Sequence, residues 1–169
     1  MRSDGLDKGS EFLVRLPIAV EASPRSGTSV KDFRRESGIS RRILIVDDMR
    51  DNANTLAMML RALGHEVHVV YDGLEAVGAA ERLRPEVVLL DIAMPGLNGY
   101  EACRQIRATE WGRSMFMIAQ TGWGQEEDRR KAEEAGFDRH MLKPIDCATL
   151  VVVLSNLPSR AERFLMRGL

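Results

Sequence analysis

The chain has 169 residues, room for one ordinary domain and a short appendage when a domain takes roughly 150 residues. Apolar residues are 44% of the chain and charged residues 29%, and 24 Lys and Arg against 25 Asp and Glu leave a formal net charge of -1. That balance argues against a nucleic-acid binder, which needs a clustered basic excess. No apolar run approaches the ~18 to 20 residues of a membrane span, and Met1-Arg2-Ser3-Asp4-Gly5 opens without the apolar stretch of a secretory leader. The two cysteines, Cys103 and Cys147, are too few for a disulfide framework or a four-cysteine zinc site. The expectation is a small cytoplasmic domain with no direct membrane contact.

Three parts follow in chain order. Residues 1–20 hold one strand-like run, Glu11 to Leu16, with Phe12, Val14 and Leu16 alternating against their neighbours. Residues 21–41 are rich in Ser and charge with little apolar periodicity, the composition of a linker. From residue 42 to residue 156 short apolar runs alternate with amphipathic stretches. The runs are Ile43 to Val46, Val67 to Val70, Val87 to Leu90, Met115 to Ala119 and the weaker His140 to Leu142. The first and third are continuous rather than alternating, as in strands covered on both faces. Helices are predicted from Ala53 to a stop at Gly64, over Leu74 to Leu83 ahead of Pro85, from Asn98-Gly99 onward, over Gln125 to Ala135 and over Asp146 to Asn156. Five strand–helix pairs imply an α/β fold with a parallel sheet and helices on both faces. In such sheets ligands bind beyond the carboxyl ends of the strands.

Those ends carry chemistry. The first strand runs into Asp47-Asp48, the third into Asp91, the fourth is followed by Thr121 and the fifth by Lys143-Pro144. Taken singly, an Asp at a strand end is a turn or a helix cap. Taken together at matching ends, three acids, a hydroxyl and an ammonium describe a site. Two carboxylates ~4 Å apart repel by roughly 4 kcal/mol at an effective dielectric near 20, and one lysine cannot neutralise three of them. A divalent cation can. Carboxylates without imidazole or thiolate suit Mg²⁺, with Mn²⁺ as the alternative, better than zinc. Such a site handles phosphoryl groups, and Asp91, alone at its central strand end, is the candidate nucleophile, with Asp47 and Asp48 as the metal pair.

At this point the text resembles the receiver domain of two-component response regulators. The matching segments are Ile43-Leu44-Ile45-Val46-Asp47-Asp48, Leu89-Leu90-Asp91-Ile92-Ala93-Met94-Pro95-Gly96, Asn98-Gly99-Tyr100, Gln120-Thr121-Gly122, Ala135-Gly136-Phe137-Asp138 and Leu142-Lys143-Pro144. The resemblance implies a flavodoxin-like (βα)5 three-layer sandwich with parallel strand order 2-1-3-4-5. It implies Asp91 as phospho-acceptor for a histidine kinase or histidine phosphotransfer domain. It also implies a Mg²⁺ site on Asp48, Asp91 and the Ala93 carbonyl, with Asp47 acting largely through water. Thr121 and Lys143 become the phosphate-binding switch residues, and Pro144 follows the lysine through a cis bond. One departure is His140, where the family often has Tyr or Phe; it reads as an ordinary half-buried residue and leaves the aromatic part of the switch in question.

The opening residues bear a second resemblance. Gly9-Ser10-Glu11-Phe12-Leu13-Val14-Arg15-Leu16-Pro17 is similar to the last strand of a histidine-kinase ATP-binding domain, which implies the C-terminal piece of a hybrid kinase; an expression leader is the alternative. The chain is then a phospho-acceptor acting on itself, while its parent is a kinase. Residues 157–169 form a tail whose Ala161, Phe164 and Leu165 have helical spacing, for a short docked helix or a homodimer contact. Trp111 and Trp123 flank loops as partner anchors or simple packing, and Glu126 to Lys131 reads as a solvated helix face. Three competing functions remain. A phosphorylation-independent binding module does not account for the full set of acids, Thr and Lys. A dehalogenase-type phosphatase wants a second Asp where Ala93 stands. A dinucleotide-binding domain wants glycines where Asp47-Asp48-Met49-Arg50 stands.

Overall fold

A computed structural model describes residues 40–122 and 126–158. The strand expected at Glu11–Leu16, the linker up to residue 39, Trp123 and the tail beyond residue 158 lie outside the described residues. Five strands and five helices alternate: β1 Arg42–Val46, α1 Arg50–Ala62, β2 Glu66–Val70, α2 Gly73–Leu83, β3 Val87–Asp91, α3 Gly99–Arg107, β4 Phe116–Thr121, α4 Glu126–Ala135, β5 Arg139–Leu142 and α5 Cys147–Ser155. The strands pair in parallel in the order β2-β1-β3-β4-β5, the topology expected of a flavodoxin-like sandwich.

Alternation along the strands divides the core in two. Ile43, Ile45, Leu89 and Ile118 pack with Ala53, Ala57 and Leu60 of α1 and Leu150, Val151 and Leu154 of α5. Leu44, Val46, Val88, Leu90 and Ala119 pack on the other face with alanines of α2, with Ala102, Cys103 and Ile106 of α3 and with Ala132 and Ala135 of α4. Because both faces of β1 and β3 are covered, these central strands are apolar at every buried position except Asp91, the last residue of β3.

Local chemistry sets the helix ends. Asp72, Asn98 and Asp146 cap α2, α3 and α5 by accepting the backbone N–H three residues on, and Glu101 completes a capping box with Asn98. Gly64 and Gly136 sit at positive φ just beyond α1 and α4. Arg84 stops α2 in the left-handed region at φ 49°, since Pro85 bars it from the helical one.

The structure adjusts several sequence expectations. Strand β4 begins at Phe116 and runs on through Gln120 and Thr121, because Asp91 and Leu142 extend the pairing on either side. Arg41, at the last position assigned to the linker, is only 3% exposed. Its guanidinium donates to the Leu154 and Leu157 carbonyls at 3.0 and 2.6 Å and pairs with Glu86 at 3.2 Å, so it packs into the domain. His140, expected half-buried, is exposed; it lies on the edge strand β5, in a 160 Å³ cleft that it lines with Arg129 and Glu133 of α4. Trp111 is half-buried beneath Arg84, whose guanidinium lies 4.7 Å from the ring centre. The solvated face of α4 is laced by Lys131–Glu127, Arg129–Glu133 and Arg130–Glu134 pairs. Among the described residues no helix is long and apolar enough to cross a membrane.

Candidate functional site

Strand register brings the acids together. Val46, just before Asp47, pairs with Leu90, just before Asp91, so the two adjacent central strands end level with each other. Both carboxylates are nearly closed to solvent, with Asp47 2% and Asp91 4% exposed, while Asp48 next in the chain turns outward and is exposed. Each buried acid is held in the same way. Asp47 Oδ1 accepts from the Met49 N–H at 2.9 Å, and Asp91 Oδ1 accepts from the Ala93 N–H at 3.1 Å. These turns fix one oxygen of each carboxylate and leave the other aimed at a shared point.

Lys143 occupies that point. Its Nζ lies 2.7 Å from Asp47 Oδ2 and 2.8 Å from Asp91 Oδ2. Burial is the largest influence on this ammonium and pulls its pKa down, but the hydrogen bonds to Asp47 and Asp91, together with their charges, overcome it and hold the pKa above the ordinary lysine value. The lysine therefore stays charged. Its backbone is fixed as well: the Lys143 N–H donates to the Thr121 carbonyl at 2.8 Å, and the Lys143–Pro144 bond is cis, as the resemblance implied.

Thr121 ends β4 opposite Leu142, is 7% exposed and sits at the same sheet edge. Ala93 lies exposed in the turn after β3. Oxygens of Asp47, Asp48 and Asp91 all lie within 4.8 Å of one another. One ammonium against three carboxylates leaves the cluster negative. Its donors are all carboxylate oxygen, without thiolate or imidazole, and two of them are buried beside a third open to water. That set fits a hard divalent cation such as Mg²⁺, which keeps several waters and takes one or two carboxylates. His140 is not part of the cluster.

Sequence reasoning did not find the supports. Met49 and Ala93 contribute through backbone N–H groups, for which the only signal is the spacing of two after each Asp. Gly99 was legible as a helix start, not as the residue on which the β3 turn rests. A Cβ there would collide with the Asp91 carbonyl oxygen and come within 2.8 Å of the Ile92 Cα, and the Gly99 N–H donates to the Ile92 carbonyl at 3.1 Å. Only glycine permits that approach.

The chain is similar to known proteins over this same region. The family model for the response regulator receiver domain matches residues 43–155. Protein PilH of Pseudomonas aeruginosa is 37% identical over 114 residues, covering 68% of this chain and 94% of PilH. The DNA-binding response regulator MtrA of Mycobacterium tuberculosis is 37% identical over 110 residues, 65% of this chain but only 47% of MtrA. Among solved structures, the receiver domain of sensor histidine kinase PA1611 from P. aeruginosa PAO1 is 40% identical with a TM-score of 0.64, covering 69% of this chain and 95% of that one. That structure has a magnesium ion coordinated in its active site cleft. Fold, acidic cleft and family match agree: the chain belongs to the response regulator receiver domain family and carries a receiver of two-component signalling.

Proposed function

We propose that Asp91 is the phospho-acceptor, taking a phosphoryl group from a phosphohistidine of a histidine kinase or a histidine phosphotransfer domain. The observation that carries this reading is the single ammonium of Lys143 shared at 2.7 and 2.8 Å between two buried carboxylates, with a third within reach. Asp91 Oδ1 stays on the Ala93 N–H while Oδ2 attacks phosphorus; the phosphorus–nitrogen bond breaks, and the electron pair leaves with the imidazole. The product is an acyl phosphate. A Mg²⁺ ion, with Mn²⁺ as a substitute, held by Asp48, Asp91 and the Ala93 carbonyl and by Asp47 through water, supplies charge neutralisation when bound. Lys143 then moves from Asp91 to a phosphoryl oxygen, and the Thr121 hydroxyl turns to another, shifting the surface around α4 and α5. His140 stands exposed on β5 where the resemblance leads one to expect Tyr or Phe, so the switch is assigned to Thr121 and Lys143.

The flanking segments support a receiver from a hybrid, cytoplasmic kinase: residues 1–20 as the end of the ATP-binding domain, the stretch from residue 21 up to Arg41 as the linker, and a tail after the domain. The likeness to the receiver of a sensor histidine kinase supports this. A free-standing regulator is the second reading, supported by the 94% coverage of PilH. Incubation with a small phosphodonor and Mg²⁺ tests the central claim. The wild-type chain is expected to gain one phosphoryl group, Asp91→Asn none, and Thr121→Ala to be labelled without the surface change. Labelling of Asp91→Asn at the wild-type rate would overturn it.

A further inference from the structure

Beside the acidic cluster, between α1 and the turn from β5 into α5, lies a second cavity of about 290 Å³. Asp47 and Lys143 form its inner end, and its body is walled by Leu56, Met59, Pro144 and Ile145. Small-molecule sites run upward from roughly 300 Å³ and pair apolar walls with a few polar groups. One polar group here is unusual. Gln120 lines the cavity from β4, is 2% exposed, and its Nε2 makes no hydrogen bond, although it lies among the apolar residues of the α1–α5 face. A buried donor left unpaired costs about 1 to 3 kcal/mol, and the residues packed on this face include Ile118 of the same strand, Leu60 of α1 and Leu150 and Leu154 of α5, all apolar. An amide retained there is accounted for by something that accepts from it.

We propose that this cavity is a binding site for a small, uncharged molecule with an apolar body and a carbonyl acceptor, the acceptor satisfying Gln120 Nε2. Charge selects the class. The net negative cluster at the inner end repels an anion, and the walls of Leu56, Met59, Pro144 and Ile145 offer a cation no charge to replace its lost hydration. One end of the cavity is formed by Asp47 and Lys143, the two side chains beside the proposed acceptor Asp91, so on that reading an occupant lies next to the phosphorylation site.

The proposal stands apart from phosphoryl transfer and is tested without it, on the unphosphorylated, Mg²⁺-free chain. Acetophenone serves as the acceptor-bearing probe and isopropylbenzene as its acceptor-free counterpart, each titrated while backbone and side-chain amide resonances are followed. Acetophenone is expected to shift the Gln120 side-chain amide and the α1 residues 52–59, and to bind roughly three- to tenfold more tightly than isopropylbenzene. Gln120→Leu should abolish or reverse that preference. Thr55→Trp, on the exposed side of α1 at the cavity mouth, should block both probes and keeps the test decisive should Gln120→Leu not fold. Equal binding of the two probes, a preference unchanged in Gln120→Leu, or no shift at Gln120 overturns the proposal.

Discussion

Lys143 sets the charge balance of the site, and its behaviour with pH follows from its partners. Asp47 and Asp91 hold its pKa above the ordinary value despite burial, which pulls the other way. A raised lysine stabilises the fold fully below the unfolded value of about 10.4 and loses that contribution as pH rises through the folded value. Urea unfolding of the metal-free chain between pH 8 and pH 11 should therefore show an alkaline loss that Lys143→Met lacks. His65 behaves in the opposite sense. It is 7% exposed, and its Nδ1 accepts from the Arg41 N–H at 3.3 Å. Burial first, and then the charge of Arg41, push its pKa down. Unfolding lets it take up a proton, so stability should fall as pH drops below about 6.5, and His65→Gln should flatten that slope between pH 7.5 and pH 5.5. The acids, Thr121 and Lys143 were legible as residues because they sit at apolar run ends. The buried state of Asp47 and the exposed state of Asp48 were not, since adjacent identical letters carry no record of which way the turn faces.

At the scale of elements, the site depends on how closely α3 approaches the end of β3. Gly99 opens α3 against the backbone of Asp91 and Ile92. Gly99→Ala forces that turn outward, an overpacking expected to cost about 1 to 3 kcal/mol in chemical denaturation and to slow phosphodonor labelling of Asp91 as well. A substitution at Gly78, where a Cβ meets nothing within 4 Å, is the control and should leave labelling intact. The far end of α3 is fastened by Arg107, which donates to the Gly112, Met115 and Gly136 carbonyls and to Asp138 Oδ2 at 2.6 Å. Asp138 also accepts from the Met117 N–H at 2.8 Å, so one half-buried fork ties α3 to the β4 and β5 entrances. The sequence marked α3 by its Asn98-Gly99 start; the fork joins residues too distant in the chain for any local period to reveal.

For the molecule as a whole, the metal site and the fold share one thermodynamic cycle. A ligand that binds only the folded chain stabilises it by about 2.7 kcal/mol at a hundredfold excess over its dissociation constant. Mg²⁺ should therefore raise the unfolding midpoint of the wild-type chain. Asp48→Asn should remove most of that rise while leaving metal-free stability near wild type, because Asp48 is exposed. A metal-free chain that gains nothing from Mg²⁺ would refute the three-carboxylate site. Arg41 acts at this scale too, joining the start of β1 to the end of α5 across 113 residues of chain. Its sequence neighbours are linker-like, and its burial became visible only once the two ends of the domain met.

The balanced charge and modest length of the chain hide a local concentration of negative charge. By itself the sequence determined the alternation of strands and helices, the parallel sheet and the acids beyond its carboxyl edge, because hydrophobic period and helix-end chemistry are local properties. Only the tertiary structure decided which atoms meet. Lys143 reaches Asp47 across 96 residues, Gly99 seats the Asp91 turn, Gln120 is enclosed without a partner and His140 is left in solvent. Those outcomes depend on strand register and helix packing, where a shift of one residue turns a side chain from one face of the sheet to the other.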